Sequence, residues 1–313
     1  MTTQLKSNSE IRLFKQCRRA WWLSYFRQLR KIRRTLVGPA PLGTRCHKAL
    51  EAYYKNPGAQ GRMDANTVLK ELMDAEVLAN PGAADEIAKE AEYARIIIDG
   101  YFEWLEATGA DRDLEVIEAE HKLITRSPVD GVELIAKLDL TVRQISTGRT
   151  GHLDHKTVQS IEQTVKILHL DEQHRQYSLM RKVANPDSQT VNLSVHNMLR
   201  KVKRSARAKP PFYERYEVYI SDGELRNFWQ RLYGEISDIL RAEQQLRDGG
   251  DPLAIAYPTP TRDCTWRCEF YDVCPLFDDP NADPEHLVGT LYEVGDPLAR
   301  YEEDILDSGG EAL

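Results

Sequence analysis

Between residues 113 and 157 the chain alternates polar and apolar residues through three successive segments, and that period of two restricts what its middle can become. Side chains on a strand point alternately to opposite faces, so such a run reads as a half-buried strand and not as a helix. The segments are 113–125 (DLEVIEAEHKLIT), 132–143 (VELIAKLDLTVR) and 151–157 (GHLDHKT). Turn-forming stretches at 127–131 (SPVDG) and 146–151 (STGRTG) separate them. In the second segment Leu134, Ala136, Leu138, Leu140 and Val142 share one face, with Lys137, Asp139, Thr141 and Arg143 on the other. In the third, His152, Asp154 and Lys156 share the polar face, and His155 points away. A hairpin of these two strands sets Asp139 nearly opposite Asp154.

Opposed like charges in a sheet are unfavourable unless something cationic lies between them. A divalent ion is the natural candidate, and hard oxygen ligands suit Mg2+ or Mn2+. Lys156 stands where it could orient or deprotonate a water, or neutralise a phosphate. A metal, water and amine so arranged are what metal-assisted phosphodiester hydrolysis needs. The competing reading of the hairpin alone is a solvent-facing charged surface.

Helical spacing predicts one helix over 8–34, carrying Ile11, Phe14, Cys17, Trp21, Trp22, Tyr25 and Leu29. A second spans 43–55, with Thr44 as N-cap and with His47 and Glu51 four residues apart on one face. Further helices are expected near 64–78, 84–108 and 169–185, and strands at 189–198 and 213–220. A long helix opens on the capping box Ser221-Asp222-Gly223-Glu224 and ends near Gly249-Gly250. The class is α/β, with a mostly helical first hundred residues.

Asp139 followed by Asp154-His155-Lys156 resembles the D…(D/E)-x-K signature of the PD-(D/E)XK nuclease superfamily. His47, in GTRCHKALEAYY, resembles the histidine metal ligand of its RecB-like branch, and Glu120, in VIEAEHKL, the acid that opens the core strand. Gln173 and Tyr177 fit the Q-x-x-x-Y motif of the following helix. Each piece is short; the ordered set is what carries the likeness. It implies a mixed central sheet flanked by helices, a helical N-terminal portion and a C-terminal iron–sulfur-binding segment. It implies also that His47, Asp139, Asp154 and the His155 carbonyl hold one or two Mg2+ or Mn2+ ions. Lys156 would then orient or deprotonate the attacking water, and Glu120 would reach a second ion through water. Gln173 and Tyr177 would orient the DNA strand or Lys156. The domain boundaries expected are 1–110 (helical, with Cys17 and His47), 111–250 (nuclease core), 251–278 (cysteine segment) and 279–313 (acidic, partly disordered tail).

The opening residues are polar, and no run of roughly 18 apolar residues occurs, so a cytoplasmic chain without membrane association is expected. Thiols stay reduced there, and the five cysteines point to ligation more than to disulfides. Cys264, Cys268 and Cys274 form C-x3-C-x5-C and need a fourth ligand, for which Cys17 is the candidate. One N-terminal cysteine plus a C-terminal trio resembles the iron–sulfur members of the RecB-like nucleases. Among these are the CRISPR-adaptation (Cas-four family) exonucleases, of a kind found also in phage genomes. That likeness implies a structural 4Fe–4S cluster. The first interval is three residues where those families often have two, and a structural zinc site is the alternative. Cys46 is expected to be a small buried hydrophobe.

The net charge of −7 hides basic runs at 6–34 and 200–209. Lys15, Arg18, Arg19, Arg27, Arg30, Lys31, Arg33 and Arg34 are expected to face DNA, with Trp21, Trp22 and Tyr25 mostly core. Arg200, Lys201, Lys203, Arg204 and Arg207 read either as a mobile basic loop on the same path or as a solvated charge run. The function expected is a metal-dependent DNA exonuclease acting on single-stranded or duplex ends. With no G-x-x-x-x-G-K-[ST] motor motif, it is expected to stand alone. A homo-oligomer or a recombination or adaptation partner stays open. The alternative function is a non-catalytic DNA-binding or complex-forming protein stapled by zinc or a cluster.

Overall fold

A computed structural model describes residues 3–33, 35–186, 191–203 and 207–301. Arg34, Arg204 and the acidic Glu302, Glu303 and Asp304 lie outside the described residues. The chain begins with β1 (Gln4–Ser7), α1 (Asn8–Gln16), α2 (Arg18–Trp21), a π-turn (Trp22–Phe26) and β2 (Leu29–Lys31). Helices α3 (Pro39–Lys55), α4 (Ala59–Ala79) and α5 (Ala84–Thr108) follow, then strands β3 (Leu114–Arg126), β4 (Val132–Gln144) and β5 (Thr150–Val158). Next come α6 (Ile161–Ile167), α7 (Glu172–Ala184), β6 (Val191–Arg200), β7 (Tyr213–Tyr219) and α8 (Asp222–Arg247). Short helical segments at Pro252–Ile255, Cys264–Arg267 and Pro284–Leu291 lead to β8 (Tyr292–Val294).

The mixed α/β class and the three meander strands agree with the sequence reading, and four details differ. The helix expected over 8–34 is broken at Cys17, which is extended (φ −160, ψ 109) and links α1 to α2. Ile11 and Phe14 are buried in α1 and Ala20 and Trp21 in α2, so apolar residues continue across the break and spacing alone does not reveal it. Gln28, with φ 57, then ends the helical stretch ahead of β2. Thr44 is not an N-cap: α3 starts five residues earlier, after Gly38 with its positive φ of 123 and with Pro39 at the first turn. Thr44 Oγ1 instead donates back to the Ala40 carbonyl at 3.2 Å. Helix α6 stands apart from α7, started by its own cap, Ser160 Oγ accepting from Gln163 N at 3.3 Å. The tail expected to be partly disordered carries a helix and β8 as far as they are described.

The chain divides into two compact units of interleaved segments. One comprises 35–123 and 137–225. In it β5 pairs antiparallel with β4 and parallel with β6, and β7 closes antiparallel on β6. Leu140, Val142, Leu153, Leu193 and Val195 bury one face of this sheet against α3, α4 and α5, through Leu50, Ile97, Ile98 and Tyr101. Val158 and Met198 on the opposite face pack with Ile161 and Leu168. The sheet is thus covered on both faces, as its parallel pair requires. Gly151 is needed where β5 meets β6: a Cβ there would lie 2.1 Å from the Leu193 carbonyl oxygen.

The other unit comprises 1–34, 124–136 and 226–313. Here β1 runs parallel to the opening of β4, from Gln4 opposite Val132 to Ser7 opposite Ile135. β2 pairs antiparallel with β8. Lys6 is buried between Glu10 (2.8 Å) and Glu243 (2.5 Å). Arg19, expected to face DNA, is 1% exposed and forms a fork on Asp278 at 2.8 and 2.9 Å. Its NH1 also donates to the Cys274 carbonyl. Arg27 pairs with Glu285 and Lys31 with Asp272, so with Arg19 three cations of the basic run expected to meet DNA are paired with acids of the C-terminal segment. Trp21 and Trp22 are core as expected, and Tyr25 is half-buried. No described helix is long and apolar enough to cross a membrane.

Candidate active site

Strand β5 divides its residues cleanly. Leu153 enters the core beneath α3–α5, and His155 follows it on that side, its ring stacked 5.5 Å from Tyr54. His152, Asp154 and Lys156 point the other way, toward α7. Leu140 lies opposite Leu153, and continuing that register sets Asp139 opposite Asp154.

Asp139 accepts a hydrogen bond from the His155 backbone amide at 2.7 Å and pairs with His47 Nδ1 at 3.3 Å. Helix α3 supplies His47 from the turn above the strand. Burial would raise the Asp139 carboxyl, but His47 and the His155 amide outweigh it and hold the acid well below the usual carboxylate range. Burial would likewise lower the His47 imidazolium; the Asp139 charge overcomes it and pushes the pKa up to about 9. Asp154 behaves oppositely. Its complete burial, with Asp139 close by, pushes it above the ordinary carboxylate value, only partly offset by Lys156. The two facing carboxyls therefore differ in acidity: His47 and the His155 amide hold Asp139 down, while burial first and Asp139 second hold Asp154 up.

Gln173, on the first turn of α7, ties the rest together. Its Oε1 accepts from Lys156 Nζ at 2.9 Å, and its Nε2 donates to Asp154 Oδ1 at 3.0 Å and to Tyr177 OH at 2.9 Å. Lys156 Nζ also lies 3.0 Å from Asp154 Oδ2. Burial favours the neutral amine, but the surrounding carboxylates, Asp154 first, raise the Lys156 pKa and keep it an ammonium. Asp171 Oδ1 caps α7 by accepting from Gln173 N at 2.8 Å, which fixes where Gln173 stands.

Glu120 sits in β3 with φ 56, a left-handed conformation that a non-glycine residue adopts at a cost of about 1 kcal/mol or more. Its carboxylate pairs with Lys137 at 2.5 Å. Burial raises its pKa, with Glu51 and Asp139 adding to the effect and Lys137 opposing it. Glu120 therefore belongs to the same acidic surroundings as Asp139.

The structure thus brings His47 to Asp139, and Gln173 to Asp154, Lys156 and Tyr177. The donor set suits a hard divalent ion on a specific ground: Asp154 Oδ2 is buried and accepts no hydrogen bond of good geometry. His155 enters through its amide, and its ring plays a supporting part that the sequence did not suggest. Asn197 Nδ2 donates to His155 Nδ1 at 2.8 Å, and Arg215 reaches Asn197 Oδ1, Tyr101 OH and Asp111 Oδ1 at 3.2, 2.8 and 2.7 Å. Arg215 lies within an ordinary alternating strand, so no local pattern marks it. Lys137 was visible on the Asp139 face, but nothing in the sequence paired it with Glu120.

Cys17, Cys264, Cys268 and Cys274 line one cavity of about 260 Å3, together with Pro258, Phe270 and Pro275. Thr261 N points at Cys264 Sγ at 3.3 Å. Cys46 lies elsewhere, fully buried, and burial pushes its thiol up to about 12, which suits an inert core residue.

The PD-(D/E)XK nuclease superfamily pattern matches residues 6–275. No curated protein matches the chain. Similar solved structures include the alkaline exonuclease LHK-Exo of Laribacter hongkongensis, 10% identical, covering 65% of this chain and 91% of that one at a TM-score of 0.29. The complex of LHK-Exo with dAMP matches at 12% identity, with 65% and 91% covered and a TM-score of 0.30. SSO0001 matches at 12% identity, with 74% and 81% covered and a TM-score of 0.29.

Proposed function

The chain belongs to the PD-(D/E)XK nuclease superfamily, and from that premise we propose that it is a metal-dependent DNA exonuclease resembling the Cas-four family, of phage type. The observation that carries the reading is the closed arrangement of Asp154, Gln173 and Lys156, with Asp139 opposite. His47, Asp139, Asp154 and the His155 carbonyl would hold Mg2+ or Mn2+. When bound, such an ion supplies charge neutralisation at the phosphate and makes water a better nucleophile.

The remaining work falls to side chains. Lys156, an ammonium held between Asp154 and Gln173, orients the attacking water and stabilises negative charge as the water oxygen bonds to phosphorus and the P–O bond in line with it breaks. Gln173 keeps that ammonium aimed, and Tyr177 keeps Gln173 in place. Glu120 adds an outer carboxylate for a second ion. Arg200, Lys201, Lys203 and Arg207 supply cations for a DNA backbone, and single-stranded ends are the favoured substrate.

Cys17 with Cys264, Cys268 and Cys274 fits a 4Fe–4S cluster. The four thiols line one cavity, as a shared group held by both ends of the chain requires, and a structural zinc site is the alternative occupant. No membrane span is needed for such a role, and a cytoplasmic setting accords with the free thiols.

The test is cleavage of end-labelled single- and double-stranded DNA with Mn2+ or with EDTA, wild type beside Asp154→Ala. Release of label by the wild type with Mn2+ alone is expected. Equal release by Asp154→Ala would remove the site assignment. A brown protein absorbing in the visible supports the cluster; a colourless one, carrying zinc, would replace it.

A further inference from the structure

Three residues outside the superfamily signature come together behind Asp154. Asp171 precedes α7, His174 lies on its first turn, and His196 stands on β6 directly opposite Asp154 of β5. Their ligand atoms all lie within 4.8 Å of one another, and they are the sole trio of its kind among the described residues. His174 and His196 are 2% and 1% exposed, their rings stacked at 3.4 Å. His174 Nε2 and both ring nitrogens of His196 are buried and have no hydrogen-bond partner. A buried polar group left without a partner costs about 1–3 kcal/mol, so three such nitrogens on two stacked rings call for an explanation.

From this geometry we infer that Asp171, His174 and His196 form a site for an imidazole-preferring divalent ion, Zn2+ foremost, distinct from the carboxylate set on β4 and β5. Two neutral imidazoles and one carboxylate are zinc ligands, and they suit Mg2+ poorly. The hydrogen bonding around the trio orients it for that use. His174 Nδ1 is engaged by His152 Nε2 at 3.0 Å and Ser194 Oγ at 2.5 Å, which directs Nε2 at the site, as second-sphere partners of ligating histidines do. Asp171 is anchored through Oδ1 by the α7 amide of Gln173. His174 Nε2 lies 3.9 Å from Asp154 Oδ2, so an ion here sits next to the carboxylate pair without needing its ligands. Because His174 adjoins Gln173, the ion pins α7 to β6 and so holds Gln173 at its station over Lys156.

The proposal is read by binding, so it stands or falls independently of DNA cleavage. The full chain, treated with chelator, is dialysed against low-micromolar Zn2+, and bound zinc per chain is measured by elemental analysis for four proteins. These are the wild type, Asp171→Asn, His196→Phe and Asp139→Asn. Asparagine caps a helix as well as aspartate, so Asp171→Asn keeps the start of α7 even if His196→Phe folds poorly. The expected result is one zinc ion fewer, or at least tenfold weaker binding of one ion, in Asp171→Asn and His196→Phe, with that ion retained in Asp139→Asn. Zinc should also raise the melting temperature of the wild type more than that of Asp171→Asn. Equal binding by the wild type and Asp171→Asn overturns the proposal. So does loss of the same ion in Asp139→Asn, which would assign it to the carboxylate set.

Discussion

Gln173→Ala isolates positioning from chemistry. The amide makes two hydrogen bonds to charged groups, 2.9 Å from Lys156 Nζ and 3.0 Å to Asp154 Oδ1, and a third to Tyr177 OH. A hydrogen bond to a charged group contributes about 1.5–3 kcal/mol, but Gln173 is half-buried and water replaces part of that in the variant. Lys156 keeps its 3.0 Å contact with Asp154, so the ammonium stays in the site with more freedom of aim. A loss of about 1.4–2.7 kcal/mol at the transition state is expected, a ten- to hundredfold fall in the cleavage step. The assay is single-turnover release of end label from DNA with Mn2+, paired with DNA binding and a thermal melt. DNA affinity should change less than threefold and the melting temperature by only a few degrees. Cleavage at the wild-type rate would show that Gln173 aims nothing. Cleavage as low as that of a Lys156 variant, at unchanged stability, would show that it takes part in the reaction itself.

Other expectations concern the scaffold. Lys6→Met leaves Glu10 and Glu243 buried without their cation and should lower unfolding free energy in urea by about 3–5 kcal/mol at neutral pH. Burial alone would lower the Lys6 pKa, but its two glutamates raise it above 10.5. Its contribution is therefore complete below that pH and fades as pH rises past it, so the gap between wild type and Lys6→Met should narrow in alkaline urea melts; a constant gap would refute the linkage. Gly151→Ala should cost about 1–3 kcal/mol, since its methyl group meets the Leu193 carbonyl, and a neutral effect would show that β5 and β6 can slide. Cys17→Ser should abolish visible absorption and loosen the segment bound through Cys264, Cys268 and Cys274; retained colour would exclude Cys17 as a ligand.

Much of the site was legible because strand periodicity is local. Once 132–143 and 151–157 form a hairpin, the placement of Asp139, Asp154 and Lys156 follows from side-chain alternation, and Gln173 and Tyr177 follow from helical spacing. The interrupted helix at Cys17 was hidden, since buried apolar residues continue on both sides of it and no glycine or proline marks the break. Arg19 read as a DNA contact because its partner Asp278 lies 259 residues away. The Arg215–Tyr101–Asn197 support beneath His155 and the pairing of His174 with His196 depend likewise on which strands become neighbours, which no short window of sequence records.

If this chain cuts DNA, Lys156 of β5 is the side chain that cleavage cannot lose. The direct measurement is Mn2+-dependent release of end label by Lys156→Ala, beside wild type of equal purity, metal content and melting temperature. Rapid release by the wild type and a loss of at least a thousandfold in the variant are expected. Release by Lys156→Ala within tenfold of wild type would contradict that role of Lys156.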